Sequence, residues 1–145
     1  MYTVDEIMTT NVVTLQPEEP VFKGMALMAE MHIRHLPIVD KDHHLLGILS
    51  HRDILRADVS SLNSGGQKFR SSVETSPIST IMSEKVCAAS PKDSLRSVGR
   101  ILLQEKFGCV PIIDEGVLVG IITDTDYVTV AINLIEELED FEDAA

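Results

Sequence analysis

The sequence predicts an α/β fold in which one β-α-β-β-α unit occurs twice. One observation is an internal repeat: the run LPIVD at 36–40 returns as VPIID at 110–114, 74 residues later. The other is that both copies hold the same order of hydrophobic patterns, with short apolar runs typical of strands and stretches of period 3.6 typical of amphipathic helices. A duplicated unit of this kind predicts two similar halves that share one core.

Three further blocks keep the same order in both halves. They are Ile7-Met8 with Ile81-Met82, Pro17 with Pro91, and GILSHRD at 47–53 with GIITDTD at 120–126. The last block lies 73 residues apart instead of 74, so one residue is missing from the turn before it. Because length changes are tolerated best in turns, this shift supports the element order.

Each unit predicts its elements in the same sequence. A short β segment, 12–15 or 86–88, is followed by a proline and then by an amphipathic helix. Two apolar β runs joined by a polar turn come next, at 35–39 and 45–49 in the first unit and at 109–113 and 117–122 in the second. The residues that mark the helical period of the first helices recur at steps of three and four: Val21, Met25, Met28 and His32, and Leu95, Val98, Ile101 and Leu102.

A second helix closes each unit. Ser50 and Thr123 stand where an N-cap hydroxyl is expected. The helix after Thr123 is long and carries an apolar stripe formed by Tyr127, Val130, Ala131, Leu134, Ile135 and Leu138. We expect exposed parts of the two second helices, including Ile54, Leu55, Val130 and Leu134, to join two copies into a homodimer.

The domain boundaries follow from the repeat. We assign 1–59 to the first repeat, 60–77 to a flexible linker rich in Ser and Gly, 78–135 to the second repeat, and 136–145 to an acidic tail that frays in solvent. One unit is too small to cover its own sheet, so the two are expected to pack with pseudo-two-fold symmetry. Seams of this kind are common ligand sites.

Composition excludes several functions. The net charge is −11, which repels nucleic-acid phosphates. The sequence has neither a signal-peptide pattern at its start nor an apolar run of membrane-spanning length, so we expect a cytoplasmic protein without membrane contact. It lacks a nucleophile elbow, an HExxH motif and a Walker loop, so we expect no enzymatic activity.

The two motif sets resemble the CBS domain family, named after cystathionine β-synthase. The resemblance rests on Met8, Pro17, LPIVD and GILSHRD, and again on Met82, Pro91, VPIID and GIITDTD, and covers about 4–58 and 78–134. It implies a disc-shaped pair with two pseudo-equivalent clefts for AMP, ADP, ATP or S-adenosylmethionine, with Mg²⁺ as an optional companion and no obligatory cofactor. The implied function is a regulatory sensor that signals through a ligand-dependent change in a dimer.

The resemblance also implies that each cleft mixes the two repeats, with the G-h-h-(S/T)-x-x-D segment (h is apolar) of one meeting the ribose. Cleft A is then formed by Asn11, Val13, Ile33, Arg34, His35 and Pro37 with Ile121, Thr123 and Asp126. Cleft B is formed by Lys85, Cys87, Phe107, Cys109 and Pro111 with Ile48, Ser50, Arg52 and Asp53. The chemistry agrees, because a carboxylate accepts hydrogen bonds from both ribose hydroxyls and a helix N-terminus attracts phosphate.

Other interpretations stay open. Asp53 and Asp126 also suit ordinary helix N-termini, and Arg34-His35 also suits a solvated strand end. The five histidines all lie in the first unit without an i, i+4 pair, so metal binding is disfavoured. Cys87 and Cys109 are expected to be buried, inert thiols. The alternative function is a ligand-free dimerisation or scaffold module; a metal-dependent enzyme is disfavoured.

Overall fold

The computed structural model describes residues 1–64 and 73–144. The first half contains α1 (Val21–Met31), β1 (His35–Val39), β2 (Leu45–Ser50) and α2 (His51–Ser64), and the second contains α3 (Leu95–Glu105), β3 (Cys109–Asp114), β4 (Val117–Thr123) and α4 (Asp124–Ala144). A short 3-10 turn precedes each half, at Val4–Glu6 and Ile78–Thr80. The mixed α/β class and the duplicated element order are therefore confirmed.

The two hairpins match their predicted positions to within a residue at each end. β1 pairs with β2 and β3 with β4, both antiparallel, and the registers correspond: Leu36 faces Leu49 as Val110 faces Ile122. Both pairs also carry an irregularity at the same place, between Ile38 and Val39 and between Ile112 and Ile113. The internal repeat therefore extends to the details of the backbone.

The predicted early strands at 12–15 and 86–88 do not form regular strands. Leu15 makes one parallel bridge to Ile38, with its N–H donating to the Pro37 carbonyl and its own carbonyl accepting from the Val39 N–H. The next bond of a parallel ladder would need an N–H at Pro37, which proline lacks. Ala89 makes the equivalent single bridge to Ile112, beside Pro111. The prolines of the two motifs thus stop the ladder after one bridge.

Each hairpin carries its own hydrophobic core, covered by the helices. The first core holds Leu15, Val21, Met28, Leu36, Ile38, Leu49, Ile54 and Ile78, and the second holds Val4, Val98, Leu102, Val110, Ile112 and Ile122. Val4 stands at the start of the chain but belongs to the second core, and Ile78 stands at the start of the second repeat but belongs to the first. The two repeats therefore exchange their first segments.

Backbone hydrogen bonds fix this exchange. The Val4 N–H donates to the Asp93 carbonyl at 3.0 Å, and the Ile78 N–H donates to the Glu19 carbonyl at 2.9 Å. The side chains of Val4 and Ile78 are both fully buried, so the exchange buries apolar surface in both cores. The sequence boundary near 59–78 thus separates two repeats but does not separate two packing units.

Described elements extend into the predicted linker from both sides. α2 continues to Ser64, and on the far side the Ser76 carbonyl accepts a hydrogen bond from the Val21 N–H at 3.0 Å. Residues 65–72, where the linker prediction also falls, lie outside the described residues. The acidic tail is helical as part of α4 up to Ala144, with exposed side chains. Crossing a bilayer requires a helix that is both long and apolar, and none of the described helices has both properties.

Two side chains lie elsewhere than the apolar periodicity predicts. His32 is exposed and ends α1 in the left-handed conformation, with φ of 54°. Ile54 was expected on an exposed dimer face, but only 4% of its surface is exposed because it faces inward from α2 into the first core. Leu55, the next residue, is half exposed and points the other way.

Candidate ligand clefts at the seam

The first segment of each repeat lies beside the motif strand of the other. Thr9 and Ile121 form an antiparallel bridge with N–O distances of 2.9 and 3.0 Å, and Ser83 and Ile48 form its counterpart with two distances of 2.9 Å. The bridges place both G-h-h-(S/T)-x-x-D segments at the seam, each in contact with the opposite repeat.

The glycine of each motif permits this close approach. A β-carbon at Gly47 would lie 2.7 Å from the carbonyl oxygen of Ser83, and one at Gly120 would lie 2.5 Å from the sulfur of Met8. Side-chain carbons do not normally approach a carbonyl oxygen so closely, so a larger residue at Gly47 would push the two repeats apart. The two glycines are therefore required by the close contact at the seam and not by the backbone conformation of a turn.

The serine or threonine and the aspartate of each motif form a capping box. The Ser50 hydroxyl accepts from the Asp53 N–H at 3.0 Å, and the Asp53 carboxylate accepts from the Ser50 N–H at 2.9 Å. Thr123 and Asp126 repeat the pattern at 3.3 and 2.8 Å. The predicted N-caps are confirmed, and both aspartates also satisfy a backbone N–H at the start of a helix.

The two aspartates differ in their surroundings. Asp53 is 8% exposed, and its second oxygen, Oδ1, accepts from the hydroxyl of Ser83 at 3.3 Å. Asp126 is half-buried, and its Oδ2 accepts from both the N–H and the hydroxyl of Thr123. The motif is therefore symmetric in sequence but not in its hydrogen bonds.

An apolar cluster joins the two motifs at the seam. It consists of Ile48, Cys109 and Ile121, with Val12 and Val86 packed against it. Burial raises the pKa of the Cys109 thiol to about 12, and the nearby charge of Asp124 acts in the same direction. The thiol is therefore protonated at neutral pH, whereas Cys87, which was expected to be buried as well, is half-buried.

His35 stands beside this cluster, with its imidazole against Gly108. Burial lowers the pKa of this imidazole below its ordinary value; Asp124 and Asp53 counteract the shift, while Arg34 and Arg52 add to it. The ring is consequently neutral at pH 7. His35 is thus influenced by charged groups of both motif helices and by Arg34, its neighbour in the chain.

The sequence of each half matches a known family. The model of the CBS domain matches residues 4–60 and 78–133. The chain belongs to the CBS domain family. The resemblance inferred from the duplicated motifs is confirmed, and the paired hairpins with their helices are a pair of CBS repeats.

Solved CBS pairs share this architecture. A Vibrio cholerae protein assigned provisionally to acetoin utilization (AcuB) is 36% identical, with a TM-score of 0.80 over 97% of both chains. The structure of CBSX2 in complex with AMP is 28% identical, with a TM-score of 0.78 over 92% of this chain and 98% of that one. The CBS pair of MJ0100, solved with 5′-methylthioadenosine and S-adenosyl-L-methionine, is 24% identical and supports the fold alone.

Some relatives are much longer. MJ1225 of Methanocaldococcus jannaschii is 29% identical over 86% of this chain, but the chain spans only 41% of that protein. A homoserine O-acetyltransferase of Methanococcus vannielii is 27% identical, and the chain spans 23% of it. In the second case an enzyme name belongs to a protein most of which lies outside the CBS match.

The predicted cleft residues fall into three groups in this CBS pair. Fully or almost fully buried are Pro37, Pro111, Ile48, Ile121, Cys109 and Asp53. Half-buried are Val13, Ile33, His35, Cys87, Ser50, Thr123 and Asp126, of which Val13 and Ile33 pack against the first core. Exposed are Asn11, Arg34, Lys85, Phe107 and Arg52. Phe107 and the basic side chains other than His35 are thus at the surface, while the two prolines are closed off from solvent.

A small cavity adjoins Asp53. It measures about 210 Å³ and is lined by Asp53, Arg56, Ala57 and Ile81, so it too combines the two repeats. Sequence reasoning missed Arg56, although its position one helical turn after Asp53 was a usable signal. Pockets for drug-sized ligands begin at about 300 Å³, so this cavity holds only part of a nucleotide without opening.

Two other features lie outside the clefts. A depression of about 420 Å³ is lined by Met1, Tyr2, Ser94, Leu95, Arg96 and Tyr127. Asp40, Asp42 and His44 gather at the first hairpin turn. The Asp40 carboxylate accepts from the N–H groups of Asp42 and His44, each at 2.9 Å, and these contacts, with that of His44 the largest, lower the pKa of Asp40. Its geometry is explained by the turn itself.

Proposed function

We propose that this chain is a regulatory module that binds an adenine nucleotide of the AMP class in the clefts along its seam. The observation that carries the proposal is the placement of Asp53 and Asp126, each at the start of a helix that meets the first segment of the opposite repeat. The similarity to CBSX2, which was solved with AMP and is matched over 98% of its length, supports the same ligand class.

The chemistry of the seam fits the parts of such a ligand. The carboxylates of Asp53 and Asp126 provide acceptors for ribose hydroxyls, and the N-termini of α2 and α4 provide a favourable field for phosphate. The apolar cluster of Ile48, Cys109 and Ile121 offers a wall for adenine.

Charge favours few phosphates. Arg34 and Arg52 are exposed near the clefts, but Asp124 begins α4 beside cleft A. AMP or S-adenosylmethionine therefore suits the seam better than ATP, which would need Mg²⁺ to offset the nearby carboxylates.

The signal is transmitted through a homodimer. Exposed apolar side chains follow the outer faces of α2 and α4, where Leu55 is 50%, Leu134 54% and Leu138 64% exposed. We propose that a second copy covers these faces, and that ligand at the seam changes the angle between the two pairs. The module itself is regulatory rather than catalytic, and a cytoplasmic location stays a prediction.

A thermal-shift screen followed by calorimetric titration tests the ligand class. AMP, ADP, ATP, S-adenosylmethionine and NAD form the panel, with GMP as the control for the base and 2′-deoxy-AMP as the control for the ribose. A ligand at 100 times its Kd stabilises the folded state by about 2.7 kcal/mol, which is easily measured. A stable dimer that responds to none of the panel would instead establish the ligand-free scaffold.

A further inference from the structure

The two clefts differ at one hydroxyl group. Ser83 and Thr9 occupy equivalent positions, since each pairs through its backbone with the motif strand of the other repeat. The Ser83 hydroxyl donates to Asp53 Oδ1 at 3.3 Å. Within residues 1–64 and 73–144, no corresponding bond joins Thr9 to Asp126. The two repeats thus differ at the place where the ribose is expected to bind.

This bond leaves Asp53 with both carboxylate oxygens engaged. Oδ2 accepts from the Ser50 N–H at 2.9 Å and Oδ1 accepts from Ser83, while only 8% of the residue is exposed. A ribose hydroxyl that reaches Oδ1 competes there with the Ser83 hydroxyl, a donor of the same kind, and gains little by replacing it.

Asp126 presents the opposite situation. The N–H and hydroxyl of Thr123 both donate to Oδ2, at 2.8 and 3.2 Å. In the described part of the chain no hydrogen bond reaches Oδ1, and the residue is only half-buried. A ligand hydroxyl can therefore add a charge-assisted bond there without breaking one.

We infer that Ser83 closes cleft B by occupying the ribose acceptor of Asp53, and that Asp126 in cleft A is the acceptor open to ligand. The inference rests on the proposed function and adds the regulation of its site. Ser83 acts as an internal substitute for a ribose hydroxyl, so it makes two clefts of almost the same sequence unequal. The chain then binds one nucleotide before two.

Calorimetric titration with AMP tests the inference in four proteins. The wild type is expected to bind about one AMP per chain. Asp126→Asn keeps an oxygen that accepts from the Thr123 N–H but removes the charge, and affinity should fall about ten- to a hundred-fold. Adding Ser83→Ala to Asp126→Asn should restore at least about tenfold of the loss by opening cleft B. Adding Asp53→Asn as well should abolish that gain.

The matched control is Thr9→Ala in the Asp126→Asn background, which removes a hydroxyl at the equivalent position and should restore nothing. Circular dichroism of each variant confirms the fold. AMP binding that weakens in Asp126→Asn but is not restored by Ser83→Ala overturns the inference and leaves the proposed function standing, as does binding unaffected by Asp126→Asn. Absence of AMP binding in the wild type and in all variants overturns both.

Discussion

The imidazole of His35 lies so close to Gly108 that the second repeat has no room for a side chain at this position. A β-carbon on Gly108 would come within 2.3 Å of Cε1 and 2.4 Å of Nε2 of the ring. The equivalent of Gly108 in the first repeat is Arg34, so the same motif position holds a large side chain in one copy and none in the other. The contact is a packing requirement as well as a source of asymmetry.

Gly108→Ala is therefore expected to destabilise the protein by about 1–3 kcal/mol, the usual cost of overpacking. Among the described glycines only Gly116 has a positive φ, so the alanine itself is not strained at position 108. Urea denaturation measures the loss. In a His35→Ala background the same substitution should cost much less, because the opposing ring is gone. Equal losses in both backgrounds would show that the clash is not with His35.

Stability should depend on pH through His35. Burial lowers the pKa of the folded imidazole below its ordinary value of 6.5, so the unfolded chain binds the proton more readily. The free energy of unfolding then rises with pH between the folded pKa and 6.5, with a slope of at most about 1.4 kcal/mol per pH unit. Above pH 6.5 the His35 contribution no longer changes with pH.

Urea denaturation of the wild type and His35→Gln from pH 5 to 8 isolates this contribution. The difference between the two stabilities should shrink or reverse toward acid and stay constant above pH 7. Because Asp53 and Asp124 face the ring, their charges oppose the effect of burial. A difference that stays level down to pH 5 would mean that the ring is protonated as easily in the folded protein as in the unfolded one.

Removal of the Asp53 carboxylate should cost more stability than removal of that of Asp126. Asp53→Ala removes a buried carboxylate that accepts from the half-buried Ser50 N–H and from the Ser83 hydroxyl, a loss of about 1–3 kcal/mol. Asp126→Ala affects a half-buried cap, with an expected loss of about 1 kcal/mol. The two asparagine variants keep an acceptor and serve as controls. Chemical denaturation followed by circular dichroism gives all four values, and a larger loss at Asp126 would contradict the order.

The proposed homodimer predicts that Leu134→Glu yields a monomer of 16.0 kDa. Leu134 is 54% exposed on α4, and a buried unpaired charge at its place would oppose association. Leu103→Glu is the matched control, because Leu103 is 79% exposed on α3, away from the proposed interface. Light scattering coupled to size exclusion separates the two cases. A wild type that is already monomeric at micromolar concentration would remove the dimer from the proposal.

Local sequence patterns predicted the elements that depend on interactions between residues close to each other in the chain. The hairpins were placed to within a residue because apolar runs interrupted by polar turns define them, and the caps at Ser50 and Thr123 follow from short-range hydrogen bonding. The prediction of regular early strands was wrong, because Pro37 lacks the N–H that would continue the ladder. That effect acts between segments distant in sequence.

The parts of the site that sequence analysis missed depend on tertiary contacts. Ser83 looks like an ordinary polar residue until the exchange of segments brings it to Asp53, 30 positions away. The asymmetry between Arg34-His35 and the Gly108-Cys109 pair was visible in the sequence, but the contact of His35 with Gly108 was not. Similarly, the sequence around Val4 and Ile78 does not indicate which half buries them.

Because the two repeats exchange their first segments, the two halves of this chain cannot finish folding independently. Val4 completes a core whose other members begin at Val98, so the second half cannot finish folding until the N-terminus has returned across most of the chain. Such distant pairing slows folding and makes it cooperative. The same exchange carried out between two molecules would satisfy every one of these contacts, so refolding at high protein concentration is expected to trap intertwined, domain-swapped dimers beside the native pair.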